Sequence, residues 1–188
     1  MVPYSRKRTS EPAVEPVTVS ELKDHLGLTG TEQDVRLSAL IAAGRRAVER
    51  DTGLSLITQT WQLVCDGSFP ADGIELLHGP VQSVSSVQYV DADGNTSTVA
   101  TSVYDVDTAS NPGVIRLAYG QTWPTVRGDD RGITVTYVTG YGDTIDDVPQ
   151  ELREAVKLAA QLHYDSPVAQ LVNAYERVVA ANRVGVYP

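Results

Sequence analysis

The spacing of apolar residues changes twice along the chain, and those changes divide it into three stretches. Between residues 18 and 53 the period is helical. Thr18-Val19-Ser20-Glu21 has the form of a capping box, in which a Thr hydroxyl and a Glu carboxylate each cover an orphan backbone N–H. Gly27 closes that short helix in the left-handed C′ conformation. Thr31 and Asp34 open a longer helix, with Leu37, Leu40, Ile41, Gly44, Ala47 and Val48 on one stripe and Gly53 at its end. Arg45, Arg46 and Arg50 fall off the stripe, which directs them to solvent or to a neighbouring subunit.

From about residue 57 to 138 the period drops to two. Strands are predicted over 58–65, 73–77, 80–90, 95–99, 103–107, 113–118 and 132–138. They are punctuated by Asp66-Gly67, Asp72-Gly73, Gly79-Pro80, Asp93-Gly94-Asn95, Asn111-Pro112-Gly113 and Gly128-Asp129. Short strands with frequent turns make an antiparallel sheet or a small sandwich. Helical spacing returns after Tyr141-Gly142-Asp143. Pro149 is placed as the first helical residue, with Asp146 and Asp147 before the positive end. Leu152, Ala155, Val156, Ala159 and Leu162 form that helix's stripe. Ser166-Pro167 separates it from a last helix striped by Leu171, Val172, Tyr175, Val178 and Val179.

The predicted fold class is therefore α+β: a helical bundle from the N- and C-terminal helices with a central antiparallel β segment. Residues 1–17, with three prolines and the basic triplet Arg6-Lys7-Arg8, read as a flexible extended arm. Residues 18–182 read as one domain, made of helices 18–53, β segment 57–138 and helices 149–182. Residues 183–188 read as an exposed, partly apolar tail.

Size and composition narrow the function more than they define it. A chain of 188 residues buries roughly 70% of its unfolded surface and folds without a staple. Its single cysteine, Cys65, excludes a disulfide framework and multi-cysteine zinc sites. No apolar run reaches membrane-spanning length. The basic N-terminus lacks an apolar run after it, so the expectation is a chain made and kept in the cytosol. The net charge of −9 is concentrated in residues 66–147, where 12 acids face three bases, Arg116, Arg127 and Arg131. Such a stretch repels phosphate and argues against tight nucleic-acid binding.

A search for chemistry finds little. His25, His78 and His163 stand on three separate elements without metal-ligand spacing. Asp91-Ala92-Asp93-Gly94-Asn95-Thr96 resembles a calcium loop, but Gly94 is fourth rather than sixth and the twelfth residue is Ser102. It reads as a hairpin turn. Asp105 and Asp107 share a strand face, as a catalytic carboxylate pair would, yet a segment this acidic produces such pairs by chance. Cys65 reads as a small buried residue. No nucleotide-binding glycine loop or nucleophile elbow is present. The chain is expected to be no enzyme and to use no cofactor and no metal.

One ordered pattern remains. It runs through Tyr104-Asp105-Val106-Asp107, Pro112-Gly113-Val114-Ile115-Arg116-Leu117, Trp123-Pro124 and Ile133–Gly142, ending in Gly140-Tyr141-Gly142. Val148-Pro149-Gln150-Glu151-Leu152 and a helix closing on Leu162-His163-Tyr164 follow. Together with the opening helix pair, this resembles the head–tail connector (adaptor) family of tailed bacteriophages, prophages and gene-transfer agents, over roughly residues 17–182. The signature residues have physical roles of their own. Gly140 and Gly142 allow a sharp strand-to-helix turn around Tyr141, and Trp123-Pro124 supplies an apolar anchor held extended.

The resemblance implies a job rather than a reaction: a virion protein, synthesised in the host cytoplasm, placed at the portal vertex between head and tail. It implies a homo-oligomeric ring, commonly of twelve copies, joining the portal protein to the tail or stopper protein and extending a channel through which DNA passes without specific binding. In that setting Arg183, Val184, Gly185, Val186, Tyr187 and Pro188 are candidates for docking on the portal. Asp91, Asp93, Asp105, Asp107, Asp129 and Asp130 are candidates for an acidic channel or rim surface. Two other readings compete. A tail-completion or stopper protein would be mainly β, which the helical ends oppose. A β-sandwich binding module or carbohydrate enzyme would want an aromatic groove, and aromatic residues make up only 6% of the chain.

Overall fold

A computed structural model of the chain describes residues 4–128, 131–165 and 168–184. It contains two compact units. One, the β unit, holds the described residues up to Glu11 and Gln59–Gly140. The other, the helical unit, holds Pro12–Thr58 and the described residues from Tyr141 onward. The mixed α+β class expected from the periodicity is what the chain adopts.

In the helical unit, α1 (Val19–Leu26) starts from the capping box read in the sequence: the Glu21 N–H donates to the Thr18 hydroxyl at 3.1 Å, and the Thr18 N–H donates to the Glu21 carboxylate at 2.7 Å. Gly27 ends it at φ +65°. Helix α2 (Asp34–Thr52) packs along α3 (Gln150–Tyr164), with α4 (Ala169–Asn182) alongside both. Leu22, Leu37, Ile41, Val48, Leu152, Ala155, Val156 and Ala160 fill the core between them. The α2–α3 approach is close because Gly44 has no side chain. A Cβ there would lie 2.7 Å from the Val156 carbonyl oxygen and 3.1 Å from the Ala160 nitrogen. Ala155, Ala159 and Ala160 keep the facing side equally thin.

Three details of this unit differ from the sequence reading. Pro149 is the N-cap of α3, one residue before the helix, rather than its first residue. Asp147 does not serve the α3 terminus. It accepts from the Thr144 N–H (2.9 Å) and hydroxyl (2.8 Å), closing a 3₁₀ turn over Ile145–Asp147. Arg45, assigned to solvent or a neighbour, is buried at 2% exposure. Its guanidinium donates to Glu15 (2.8 Å) and Glu49 (2.9 Å). Two carboxylates, one four residues on and one thirty residues back, make burial of the charge tolerable. Ser166-Pro167, read as the break before α4, lie outside the described residues.

The β unit contains a five-stranded sheet and a three-stranded sheet, both antiparallel. The strands are β1 (Tyr4–Ser10), β2 (Gln59–Cys65), β3 (Ile74–Leu76), β4 (Val81–Val90), β5 (Thr96–Thr98), β6 (Tyr104–Asp107), β7 (Gly113–Leu117) and β8 (Ile133–Thr139). Their spatial orders are β1-β2-β8-β4-β5 and β3-β7-β6. All seven strands expected between residues 57 and 139 form within a residue or two of the predicted limits. In β8 the alternation is complete, with Ile133, Val135, Tyr137 and Thr139 buried. Leu63, Cys65, Val87, Ile115, Ile74 and Leu76 join them in a core distinct from the helical one.

The reading of residues 1–17 as a flexible arm needs correction. Residues 4–10 form β1, paired antiparallel to β2 with Arg6 opposite Leu63 and Lys7 opposite Gln62. Further on, Glu15 binds Arg45, and Val17 is buried in the helical core. A polar edge strand needs only one ladder of backbone hydrogen bonds, so its own side chains need carry no apolar alternation.

Candidate assembly surfaces

The residues singled out in the sequence separate into those that build the fold and those left at the surface. Trp123 belongs mostly to the first group. Its ring stacks on Phe69 at 4.4 Å between centroids and lies 6.4 Å from Tyr104, and Phe69 meets Tyr89 edge-on at 6.4 Å. Pro124 is half-buried beside it. Gly140 takes φ +121°, a conformation L side chains avoid, as the chain leaves β8. Its N–H donates to the Pro80 carbonyl at 2.9 Å. Tyr141 packs on the helical core, its N–H donating to Leu56, and burial pushes its hydroxyl pKa up. Gly142 leaves room for Asp147: a Cβ there would meet that carboxylate at 2.4 Å.

The acidic candidates are not equivalent. Asp91 is a turn-former. Its carboxylate accepts from the N–H groups of Asp93 (3.0 Å) and Asn95 (2.9 Å), holding the β4–β5 hairpin in place of the calcium loop it resembles. Asp107 accepts from the Ser110 hydroxyl at 2.6 Å and from the Ser110 and Ala109 N–H groups at 3.1 Å. Those bonds, the Ser110 hydroxyl first, hold its carboxyl below the usual range. Asp93 and Asp105 are exposed. Asp129 and Asp130 lie outside the described residues.

Of the C-terminal candidates, Gly185, Val186, Tyr187 and Pro188 also lie outside the described residues. Arg183 and Val184 cover carbonyls that α2 leaves unpaired at its C-terminus. The Arg183 Nε–H donates to the Asp51 carbonyl at 3.0 Å, and the Val184 N–H donates to the Thr52 carbonyl at 2.9 Å. Tyr175 of α4 donates its hydroxyl to the Asp51 carboxylate at 2.7 Å. Burial alone would raise the Asp51 pKa, but the Arg50 and Tyr175 bonds outweigh it and the net shift is downward. The start of the tail is thus fixed to the helical unit.

One cluster escaped the sequence reading. His78, at φ +64°, stacks on Trp61 with ring centroids 4.0 Å apart and 10° between planes. The Arg8 guanidinium lies 5.8 Å from the Trp61 ring. Burial, with Arg6 and Arg8 adding to it, lowers the His78 pKa to about 4. The only advance signal was the basic triplet, whose position opposite Trp61 depends on β1. Cys65 behaves as expected for a core residue, its thiol pushed up to about 12 by burial and by Asp66. Among the described residues no group of His, Cys, Asp and Glu converges as a metal site, and no helix is long and apolar enough to cross a membrane.

What the fold and surfaces define is a two-unit α+β chain whose distinctive chemistry is surface charge. The model of the phage gp6-like head-tail connector protein family matches residues 16–107, from just before α1 through β6. The resemblance to phage head–tail connectors read from the sequence therefore holds over that stretch. Trp123-Pro124 and Gly140-Tyr141-Gly142, part of the same pattern, lie beyond it. No curated protein matches the chain. Chains of solved structures share its fold, three of them as follows. A chain from the virion of a native gene transfer agent particle is 23% identical over 97% of both chains, with a TM-score of 0.78. A chain from the neck of an empty particle of this kind, computed with C6 symmetry, is 23% identical over 98% of this chain and 97% of that one, at 0.79. A chain from the neck of the native particle, computed with C12 symmetry, is 22% identical with the same coverage, at 0.77.

Proposed function

We propose that this chain is a structural, non-catalytic connector of a tailed virion or gene-transfer-agent particle. It assembles at the portal vertex as a ring, of twelve copies, between the portal protein and the tail or stopper protein. The observation that carries the reading is the family match over residues 16–107 joined to a fold shared, over nearly the full length of both chains, with proteins from particle necks. The C12 symmetry with which the native neck was computed supports the ring number. DNA leaving the particle passes through the ring without specific binding. The exposed Asp93, at the tip of the hairpin that Asp91 holds, contributes to the channel or its rim, where negative charge keeps DNA from adhering. The C-terminal tail, residues 183–188, docks on the portal, starting from the point where Arg183 and Val184 leave α2.

Co-sedimentation of the purified chain with purified portal rings tests the connector reading. Binding that saturates at one chain per portal subunit is expected. Deletion of residues 185–188, which keeps the Arg183 and Val184 bonds to α2, is expected to abolish binding while leaving circular dichroism unchanged. Binding that survives the deletion would make the tail a bystander, and no binding at all would move the chain to a tail-completion or stopper role.

A further inference from the structure

Of the four described edge strands in the β unit, β1, β5, β3 and β6, two differ sharply in charge. One edge of the five-stranded sheet is β1, which pairs only with β2 among the described residues. It carries Arg6, Lys7 and Arg8, of which Arg6 and Lys7 are exposed. At the three-stranded sheet the outer strand on one side is β6, paired among the described residues only with β7 and bearing Asp105 and Asp107. Arg116, opposite Asp105 in register, reaches Asp107 instead at 3.5 Å, and Asp105 stays exposed.

Contacts between the sheets place these two edges on opposite sides of the unit. The chain leaving β3 lies over β2 and β8, beside β1: His78 stacks on Trp61, and the Tyr137 hydroxyl donates to the Leu77 carbonyl at 3.1 Å. Strand β6 lies toward β4 and β5. Tyr104 joins the ring cluster of Trp123, Phe69 and Tyr89, and the residues between β5 and β6 include Val99, whose N–H donates to Val87 of β4 at 2.8 Å.

We infer that, in the ring, the basic β1 edge of one copy adds along the acidic β6 edge of the next. The inference rests on the connector reading and names its subunit contact. An open strand edge invites backbone pairing. Like charges disfavour β1 against β1 and β6 against β6, whereas opposite charges favour β1 against β6. A contact between two different patches on opposite sides is heterologous and, repeated by rotation, closes a ring.

Disulfide trapping tests it, because native Cys65 is buried and silent. Four full-length chains pair Ser5→Cys or Thr9→Cys on β1 with Thr101→Cys or Thr108→Cys flanking β6, which covers both strand directions and keeps Lys7 and Asp105. Each is oxidised in concentrated solution and on portal rings, then run on a non-reducing gel. At least one pair is expected to give a ladder of linked multimers. In that chain Lys7→Glu or Asp105→Lys alone should lower the multimer fraction ~tenfold, and the two together should restore it. Absence of ladders from all four pairs, or ladders indifferent to the reversals, overturns the inference. A collar on the portal without ladders sinks the edge contact and keeps the connector reading. Charge-sensitive ladders without a collar do the reverse.

Discussion

The helical unit and the β unit solve the same problem of burying a core by different means. The helical unit tolerates a buried charge: Arg45 sits at 2% exposure between Glu15 and Glu49, and Glu49 also accepts the Leu56 N–H at 3.1 Å. Its backbones meet closely at Gly44. The β unit keeps its guanidinium groups at the periphery and fills its centre with stacked rings and an alternating strand. In the first, a polar network connects the N-terminal segment, α2 and the chain leading to β2. In the second, aromatic packing joins two sheets. The two should therefore fail under different insults, and the probes are conveniently separate. Both tryptophans, Trp61 and Trp123, belong to the β unit, while far-ultraviolet circular dichroism is dominated by the helices.

The largest expected effect is on the helical side. Arg45→Ala leaves the buried Glu49 carboxylate without its cation and should cost about 3–5 kcal/mol, read as an earlier loss of ellipticity in urea. Gly44→Ala forces a Cβ into the α3 backbone and should cost about 1–3 kcal/mol by the same measurement. A mild effect of Gly44→Ala, within experimental error of wild type, would mean that α2 and α3 do not approach as described.

On the β side the sharper test is pH. His78 has a folded pKa near 4, below its ordinary value near 6.5, so the unfolded chain binds more protons between those values. The His78 contribution is thus fully present above about pH 6.5 and is lost as pH falls toward 4. The Glu21 carboxyl in the helical unit acts in the same sense over a lower pH range: burial opposes its charge, but Thr18 and Arg153 prevail and the net pKa is lowered. Its stabilisation persists until pH drops through that lowered value. Tryptophan fluorescence in urea should accordingly show the β unit weakening across pH 6.5 to 4, and His78→Asn, which suits a positive φ, should flatten that dependence. An unchanged slope in His78→Asn would contradict the burial argument. The smallest effect expected is from Thr18→Ala, about 1 kcal/mol from loss of the α1 cap, visible by circular dichroism and absent from tryptophan fluorescence.

Where the sequence was legible, a local signal was responsible. Period-two alternation bounded by Gly, Pro, Asn and Asp located β2 to β8, and the Thr18–Glu21 box and Gly27 located α1, because these features act within a few residues. The failures share the opposite cause. Strand β1 has no apolar alternation and is defined by a partner fifty or more residues away. Arg45 reads as a surface residue until Glu15, thirty residues earlier, is brought to it by tertiary folding. The candidate surfaces were legible by residue type but not by availability. Asp91 and Asp107 turned out to be spent on their own turns, whereas Asp93 and Asp105 are free to meet solvent or a neighbour. The groups that occupy Asp91 and Asp107 lie within four residues of them, so the geometry of each turn, and not a distant partner, decides which carboxylates are taken up.

The central claim is that this chain adds a ring to a portal. Electron microscopy of purified portal rings mixed with the purified chain tests it most directly. The expected result is a symmetric collar, one copy per portal subunit, with the C-terminal residues at the portal face. Bare portal rings at chain concentrations well above micromolar would contradict it.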